Sequence, residues 1–192
     1  MSFFNKQTLL SELIDRTEVI TSNTRSFLRL DQQLLYYKPE SQCWSITEIY
    51  GHLNITNKTC IHSILKRIKT SPDVSTTDFM SGWLGDWVYE KLMPRADGSV
   101  YKISAPKKFH APNKELDAIE VLNQFLEDQD IIHDILLHSS TKDLKQIRVP
   151  FYFTRAVNFR LGDTLRFLIA HNERHLLQAH RVVENSQMVQ KG

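Results

Sequence analysis

The sequence predicts an all-α fold, a four-helix bundle formed by one domain over residues 1–192. Four segments of 20 or more residues repeat apolar side chains at the period of an α-helix. One of them opens with a strong helix-start signal. Four of the 6 prolines lie between the second and third segments, which predicts a long connection there. The predicted helices cover about residues 5–37, 45–69, 113–138 and 161–183.

The first two predicted helices are separated by a proline. Pro39 ends the first helix, predicted from Asn5 to Tyr37, because proline lacks a backbone N–H and restricts the residue before it. The second helix begins at Ser45-Ile46-Thr47-Glu48, a capping box in which the serine and glutamate side chains bond each other's backbone amides. It is predicted to continue to about Lys69 with one face buried. The residues expected on that face are Ile46, Ile49, Leu53, Cys60, Ile61, Ile64 and Ile68.

The connection over residues 71–113 breaks this helical pattern. Connections of this length inside a domain are either functional elements, such as a lid or a pocket wall, or caps over one end of the core. Both interpretations fit this sequence. One short amphipathic helix is predicted within the connection from the spacing of Phe79, Trp83, Trp87, Val88 and Leu92.

The last two helices flank a second irregular stretch. The third helix is predicted from Asn113, a plausible cap, to His138. In residues 139–160, the segment Val149–Phe153 is rich in β-formers but has no evident partner strand, so it is expected to pack as extended chain. The fourth helix is predicted to begin near Leu161. The buried stripe expected on the third helix consists of Leu116, Ile119, Leu122, Phe125, Leu126, Ile132 and Leu136.

Composition limits the classes of partner. The net charge is +2 without a clustered basic face, which argues against binding to nucleic acid or to an anionic membrane surface. The chain has no apolar run of roughly 18 residues, so no transmembrane helix is predicted. The first residues lack the layout of a secretory signal. Two cysteines, Cys43 and Cys60, are too few for a disulfide framework and fit a cytoplasmic location.

Histidine spacing predicts a candidate metal site. His171 and His175 lie four residues apart on the inward stripe of the fourth helix, where they form a pincer for a metal ion if a third ligand exists. The alternative is a buried pair that hydrogen-bonds neighbouring side chains. His52, near the inward edge of the second helix, is the leading candidate for the third ligand. His110 could reach this site from the 71–113 connection but is expected to make local hydrogen bonds, and His133 is expected to be a core or boundary residue and not a ligand.

Two segments together resemble a known family. Trp44–Leu53 is similar to the W-S-x-x-E-I-x-x-H-L helix start of the DinB-like family, which includes the YfiT-type metal-dependent hydrolases. His171–Gln178 is similar to the H-x-x-x-H-x-x-Q helix of the same family. The resemblance extends over the Ala111-Pro112 loop and so spans nearly the whole chain. It implies an up-down-down-up bundle in which three histidines hold a divalent metal.

Carried over by position, the resemblance implies specific ligands. His52, His171 and His175 are the implied metal ligands, and Gln178 is assigned to cofactor binding, where it would orient water or a ligand side chain. Nickel or zinc is the metal that the resemblance favours, and histidine ligation also suits iron and manganese.

The resemblance also implies a class of activity. The leading hypothesis is a metal-dependent thiol S-transferase, which moves a low-molecular-weight thiol onto a small electrophile. A hydrolase that uses metal-bound water is the enzymatic alternative. A non-enzymatic metal-binding stress or scaffold protein is the other alternative. A homodimer is compatible with the sequence but does not follow from it.

Overall fold

The structure, a computed structural model, describes residues 1–94, 101, 106–110, 116–151 and 156–191. Within these residues the chain is mostly helical, which confirms the predicted all-α class. None of the helices in this part of the chain has the length and apolar character that crossing a membrane would require. The helices are α1 (Lys6–Phe27), α2 (Gln32–Tyr36), α3 (Ile46–Ile68), α4 (Trp83–Leu92), α5 (Ala118–His138) and α6 (Leu161–Lys191), and the strands are β1 (Phe3–Asn5), β2 (Asp78–Met80), β3 (Arg148–Pro150) and β4 (Asn158–Arg160).

The start and end of α3 agree with the sequence prediction. The backbone N–H of Glu48 donates to Ser45 Oγ at 3.3 Å, and the N–H of Ser45 donates to Glu48 Oε2 at 2.9 Å. This reciprocal capping box satisfies two amides that the first turn would otherwise leave without partners. The helix ends at the cap Lys69, and all seven residues expected on its inner face are buried.

The predicted first helix is two helices, so the prediction of one continuous helix over 5–37 was wrong. After α1, the chain makes a tight turn and restarts as α2 behind Asp31. The Asp31 side chain accepts a hydrogen bond from the N–H of Gln33 at 2.7 Å. Aspartate is a strong N-cap because its carboxylate satisfies an exposed amide, and this local bond competes with continuation of the helix.

Helix α5 begins later than predicted. Asp117 is its N-cap, since its Oδ1 accepts from the N–H of Glu120 at 2.8 Å. The predicted start at Asn113 was therefore wrong, and Asn113 itself lies outside the described residues. The buried stripe also differs from the prediction in part, because Ile119 is 42% exposed whereas Val121 is buried. The start of α5 is set locally by the Asp117 cap, whereas tertiary packing decides where the inner face of the helix lies.

Two short antiparallel sheets correct the predictions for the connections. Phe79, predicted in the short helix, lies in β2 and pairs with Phe4 of β1. Val149 lies in β3 and pairs with Phe159 of β4, so the prediction that this segment has no partner strand was wrong. A short helix does follow β2, namely α4. Each partner strand is only three residues long, too short to produce a recognisable alternation in the sequence.

The four long helices share one core. α1 contacts α5 and α6, and α3 contacts the same two helices. Between α1 and α6, Arg16 Nε donates to Glu173 Oε1 at 2.7 Å, and His180 Nε2 lies 3.0 Å from Asn23 Oδ1. Helix α4 packs on α6, where the backbone N–H of Gly82 donates to Asp163 Oδ2 at 2.9 Å. This packing places the inner faces of α3 and α6 opposite each other.

Candidate metal centre

His52 is positioned by α3, two turns after the capping box. Its side chain is buried, and Nδ1 donates to the backbone carbonyl of Phe109 at 2.6 Å. A carbonyl oxygen only accepts, so this bond fixes the proton on Nδ1 and leaves the Nε2 lone pair available. Nε2 is buried and, among the residues that the structure describes, has no hydrogen-bond partner.

His171 and His175 project from successive turns of α6. His171 is buried, and its ring stacks on Phe167 with a centroid distance of 5.7 Å and an interplanar angle of 19°. His175 is partly exposed, and its Nδ1 donates to Gln178 Oε1 at 2.9 Å. Of the two histidines on α6, His171 is therefore the more deeply buried.

The three predicted histidines meet between α3 and α6. The His52 ring centroid lies 5.4 Å from that of His171 and 4.7 Å from that of His175, and the last two are 4.7 Å apart. Each contributes one ring nitrogen to a group whose members lie within 4.8 Å of one another. Two nitrogens on a common ion at tetrahedral angles are about 3.4 Å apart, so movements of about 1 Å would bring this set to ligand spacing. Within the described residues it is the one group of this kind.

Burial keeps these imidazoles neutral. It is the largest cause of the lowered pKa of each ring. The pKa of His171 and His175 is lowered further because a proton on either ring would be repelled by a protonated neighbouring histidine and by Arg174. The pKa of His175 falls to about 3. The neutral form carries the lone pair that binds a metal, so the site has its ligands in the competent state at neutral pH.

Trp44 forms one wall of the site, a role that was not predicted from the sequence. Its ring centroid lies 5.1 Å from His52 and 6.3 Å from His175, nearly parallel to the latter at 20°. His110 meets the same indole edge-on at 5.7 Å and so lies beside the centre. His133 instead lines a groove between α1 and α5. The sequence did contain a signal for this role, because Trp44 lies directly before the N-cap and eight residues before His52.

Neither cysteine belongs to the group of three histidines. Both are free thiols, and Cys60 is buried in the core, where burial raises its pKa to about 12. A thiol with a pKa this high stays protonated at neutral pH and is a poor nucleophile. Cys60 is therefore a packing residue, as predicted.

A comparison with sequence models of known families shows to which family the chain belongs. The sequence model of the DinB superfamily matches residues 16–179, which include all three histidines and Gln178. The chain belongs to the DinB superfamily. The resemblance read from the Trp44 and His171 segments is thereby confirmed. The chain matches no curated protein and no solved structure.

Proposed function

We propose that this DinB superfamily protein binds one divalent metal ion through His52, His171 and His175 and acts as a metal-dependent thiol S-transferase. The observation that carries the proposal is the set of three neutral imidazoles with their ring nitrogens within 4.8 Å of one another. Three histidines leave a coordination position open, which is typical of catalytic rather than structural sites.

The nature of the ligands limits the metal. Imidazole nitrogen suits nickel and zinc, and also iron and manganese, whereas calcium and magnesium prefer oxygen. We propose nickel or zinc. When bound, such an ion would stabilise a thiolate or lower the pKa of a water molecule.

The surrounding residues prepare the site for this chemistry. The Phe109 carbonyl and the Gln178 amide oxygen hold the Nδ1 protons of His52 and His175, which directs both Nε2 lone pairs towards the centre. Gln178, assigned to cofactor binding from the resemblance, would therefore act by orienting a ligand side chain. Leu168 and Val182 are buried on the same face of α6 and help to exclude water.

We also propose that the four long helices form an up-down-down-up bundle. The contacts Arg16–Glu173 and Asn23–His180 advance in the same direction along α1 and α6, which supports a parallel pair. On α3 and α5, Asn54 Nδ2 donates to the Val121 carbonyl. Further along both helices, the charge of Lys58 acts to lower the pKa of Asp128. This second parallel pair supports the two middle helices running in the same direction.

Two measurements test the function. Elemental analysis of untagged protein should find about one equivalent of a transition metal, and His52→Ala and His171→Ala should lose it. Consumption of a small thiol by an electrophile should be faster with the protein and should stop on chelation. Stoichiometric metal without turnover of thiols would favour a stress or scaffold protein, and chelator-sensitive ester or amide hydrolysis would favour a hydrolase. Absence of metal from native protein would contradict all three.

Location and assembly remain proposals as well. The free Cys43 and Cys60 are in keeping with the reducing cytoplasm predicted from the sequence. A homodimer that binds a small-molecule substrate and no nucleic acid is the state we propose. Light scattering during size-exclusion chromatography measures the mass of the assembly directly.

A further inference from the structure

Arg174 lies on α6 between the two histidines that this helix supplies. Its Nη2 donates to the backbone carbonyl of Tyr101. Its Nη1 is buried and has no hydrogen-bond partner among the described residues. A buried guanidinium nitrogen without an acceptor destabilises the folded state, so this donor requires an explanation.

Among the described residues, no carboxylate forms an ion pair with this guanidinium. The nearest acid in sequence, Glu173, is held by Arg16, whose Nε donates to Glu173 Oε1 at 2.7 Å. Arg16 also donates to the Tyr89 hydroxyl at 3.1 Å, so this ion pair is fixed against α4. Within the described residues, none of the ion pairs includes Arg174. Within the part of the chain that the structure describes, the Arg174 guanidinium therefore has a positive charge without a counter-ion and a hydrogen-bond donor, Nη1, without an acceptor.

Arg174 is also part of a positive strip beside the histidines. Arg174, Gln178 and Arg181 follow one another at helical spacing, and Gln178 is the residue that holds His175. Burial and the Arg181 charge both lower the pKa of Arg174. The charge of Arg174 in turn acts on His171 and His175, so the strip and the histidine centre share one electrostatic environment.

We propose that Arg174 binds the carboxylate of a small thiol whose sulfur reaches the histidine centre. This inference rests on the proposed function and names the substrate class for it, namely a thiol that carries a carboxylate. A guanidinium presents parallel N–H donors that match the two oxygens of a carboxylate, and it stays charged at every physiological pH. The acceptor that Nη1 does not find among the described residues is then supplied by the substrate.

A titration of cobalt-loaded protein tests the proposal. 3-Mercaptopropionate and the neutral 2-mercaptoethanol are added separately, and the sulfur-to-cobalt charge-transfer absorption gives the dissociation constant of each. The wild-type protein should bind 3-mercaptopropionate at least about ten-fold more tightly, the effect expected for a hydrogen bond to a charged group. Arg174→Gln should remove this preference while the cobalt content stays at one equivalent.

Two further variants keep the test specific. Arg67→Gln removes an exposed helical arginine from α3 and should leave both dissociation constants unchanged. Arg174→Lys keeps the charge but not the planar fork and should retain only part of the preference. Thermal melting of each variant shows whether the fold persists.

The outcomes separate this inference from the proposal on which it rests. Equal binding of both thiols by wild-type protein, or an equal loss of both in Arg174→Gln, would overturn the role of Arg174 and leave the metal site standing. A wild-type protein that takes up no cobalt, or shows no charge-transfer absorption with either thiol, would overturn the metal-thiol proposal and this inference together.

Discussion

His175 donates its Nδ1 hydrogen to Gln178 Oε1 at 2.9 Å, across one turn of the same helix. The bond fixes both the tautomer and the ring orientation of the one histidine in the group that is partly exposed. Such outer hydrogen bonds typically contribute a factor of 10–100 to metal affinity. We therefore expect Gln178→Ala to weaken metal binding by about that factor, as measured by competition with a chromophoric chelator.

The matched control for this substitution is Gln187→Ala on the same helix. Gln187 is exposed and lies more than two turns beyond Gln178. An equal affinity in Gln178→Ala and the wild-type protein would show that His175 is oriented by packing against Trp44 alone.

Metal removal should lower the stability of the wild-type protein. A ligand that binds only the folded state stabilises it by an amount that grows with the ratio of free ligand to dissociation constant, about 2.7 kcal/mol at a hundred-fold excess. Chelation should therefore lower Tm for wild type but leave Tm unchanged for His171→Ala. His62→Ala, which removes an exposed histidine of α3, should respond to the chelator like wild type. A drop in Tm for His171→Ala on chelation would place the ion elsewhere.

The buried carboxyl of Asp128 should give the free energy of unfolding an unusual pH dependence. Burial raises the pKa of its carboxyl to about 6, and Oδ2 has no hydrogen-bond partner within the described residues. Because the folded state holds this proton up to a higher pH than the unfolded chain, the carboxyl lowers stability as pH rises from about 4 to about 6. At pH 7 the ionised group costs up to about 3 kcal/mol, at 1.36 kcal/mol for each pH unit.

Asp128→Asn should therefore raise the free energy of unfolding at pH 7 and have little effect at pH 4. Urea denaturation at both pH values measures the change. Asp130→Asn removes the same charge from an exposed neighbouring position and serves as the control. An equal gain in the two variants would assign the effect to net charge rather than to burial.

Gly85 is predicted to tolerate no side chain. A Cβ atom there would overlap the carboxyl group of Asp163, where α4 packs on α6. Overpacking of this kind typically costs about 1–3 kcal/mol, so Gly85→Ala should lower the urea midpoint clearly. Gly82→Ala should cost less, since its Cβ would lie 3.2 Å from Asp163 Oδ2. Equal midpoints for Gly85→Ala and the wild-type protein would mean that Asp163 moves aside at no cost.

Local sequence signals were sufficient to predict the bounds of α3 and the common helix face of His171 and His175. The Ser45 capping box fixed where α3 begins, and the spacing of four residues placed His171 and His175 on one face of α6. Both signals act between residues within one helical turn, so they are present in the sequence itself. The break before α2 was also signalled locally, by Asp31, but the apolar period continues across it and concealed it.

The sequence by itself determined the helical class, the bounds of α3 and, through the family motif, the three histidines. Only the tertiary structure decided what surrounds them. The bond from His52 to Phe109 joins residues 57 positions apart, and the pairing of β3 with β4 depends equally on how a connection folds back. The neutrality of the imidazoles and the Arg174 Nη1 donor, which has no acceptor among the described residues, also come from burial between helices. Contacts of this kind leave no periodic or local trace in the sequence, because they exist only after the helices have packed.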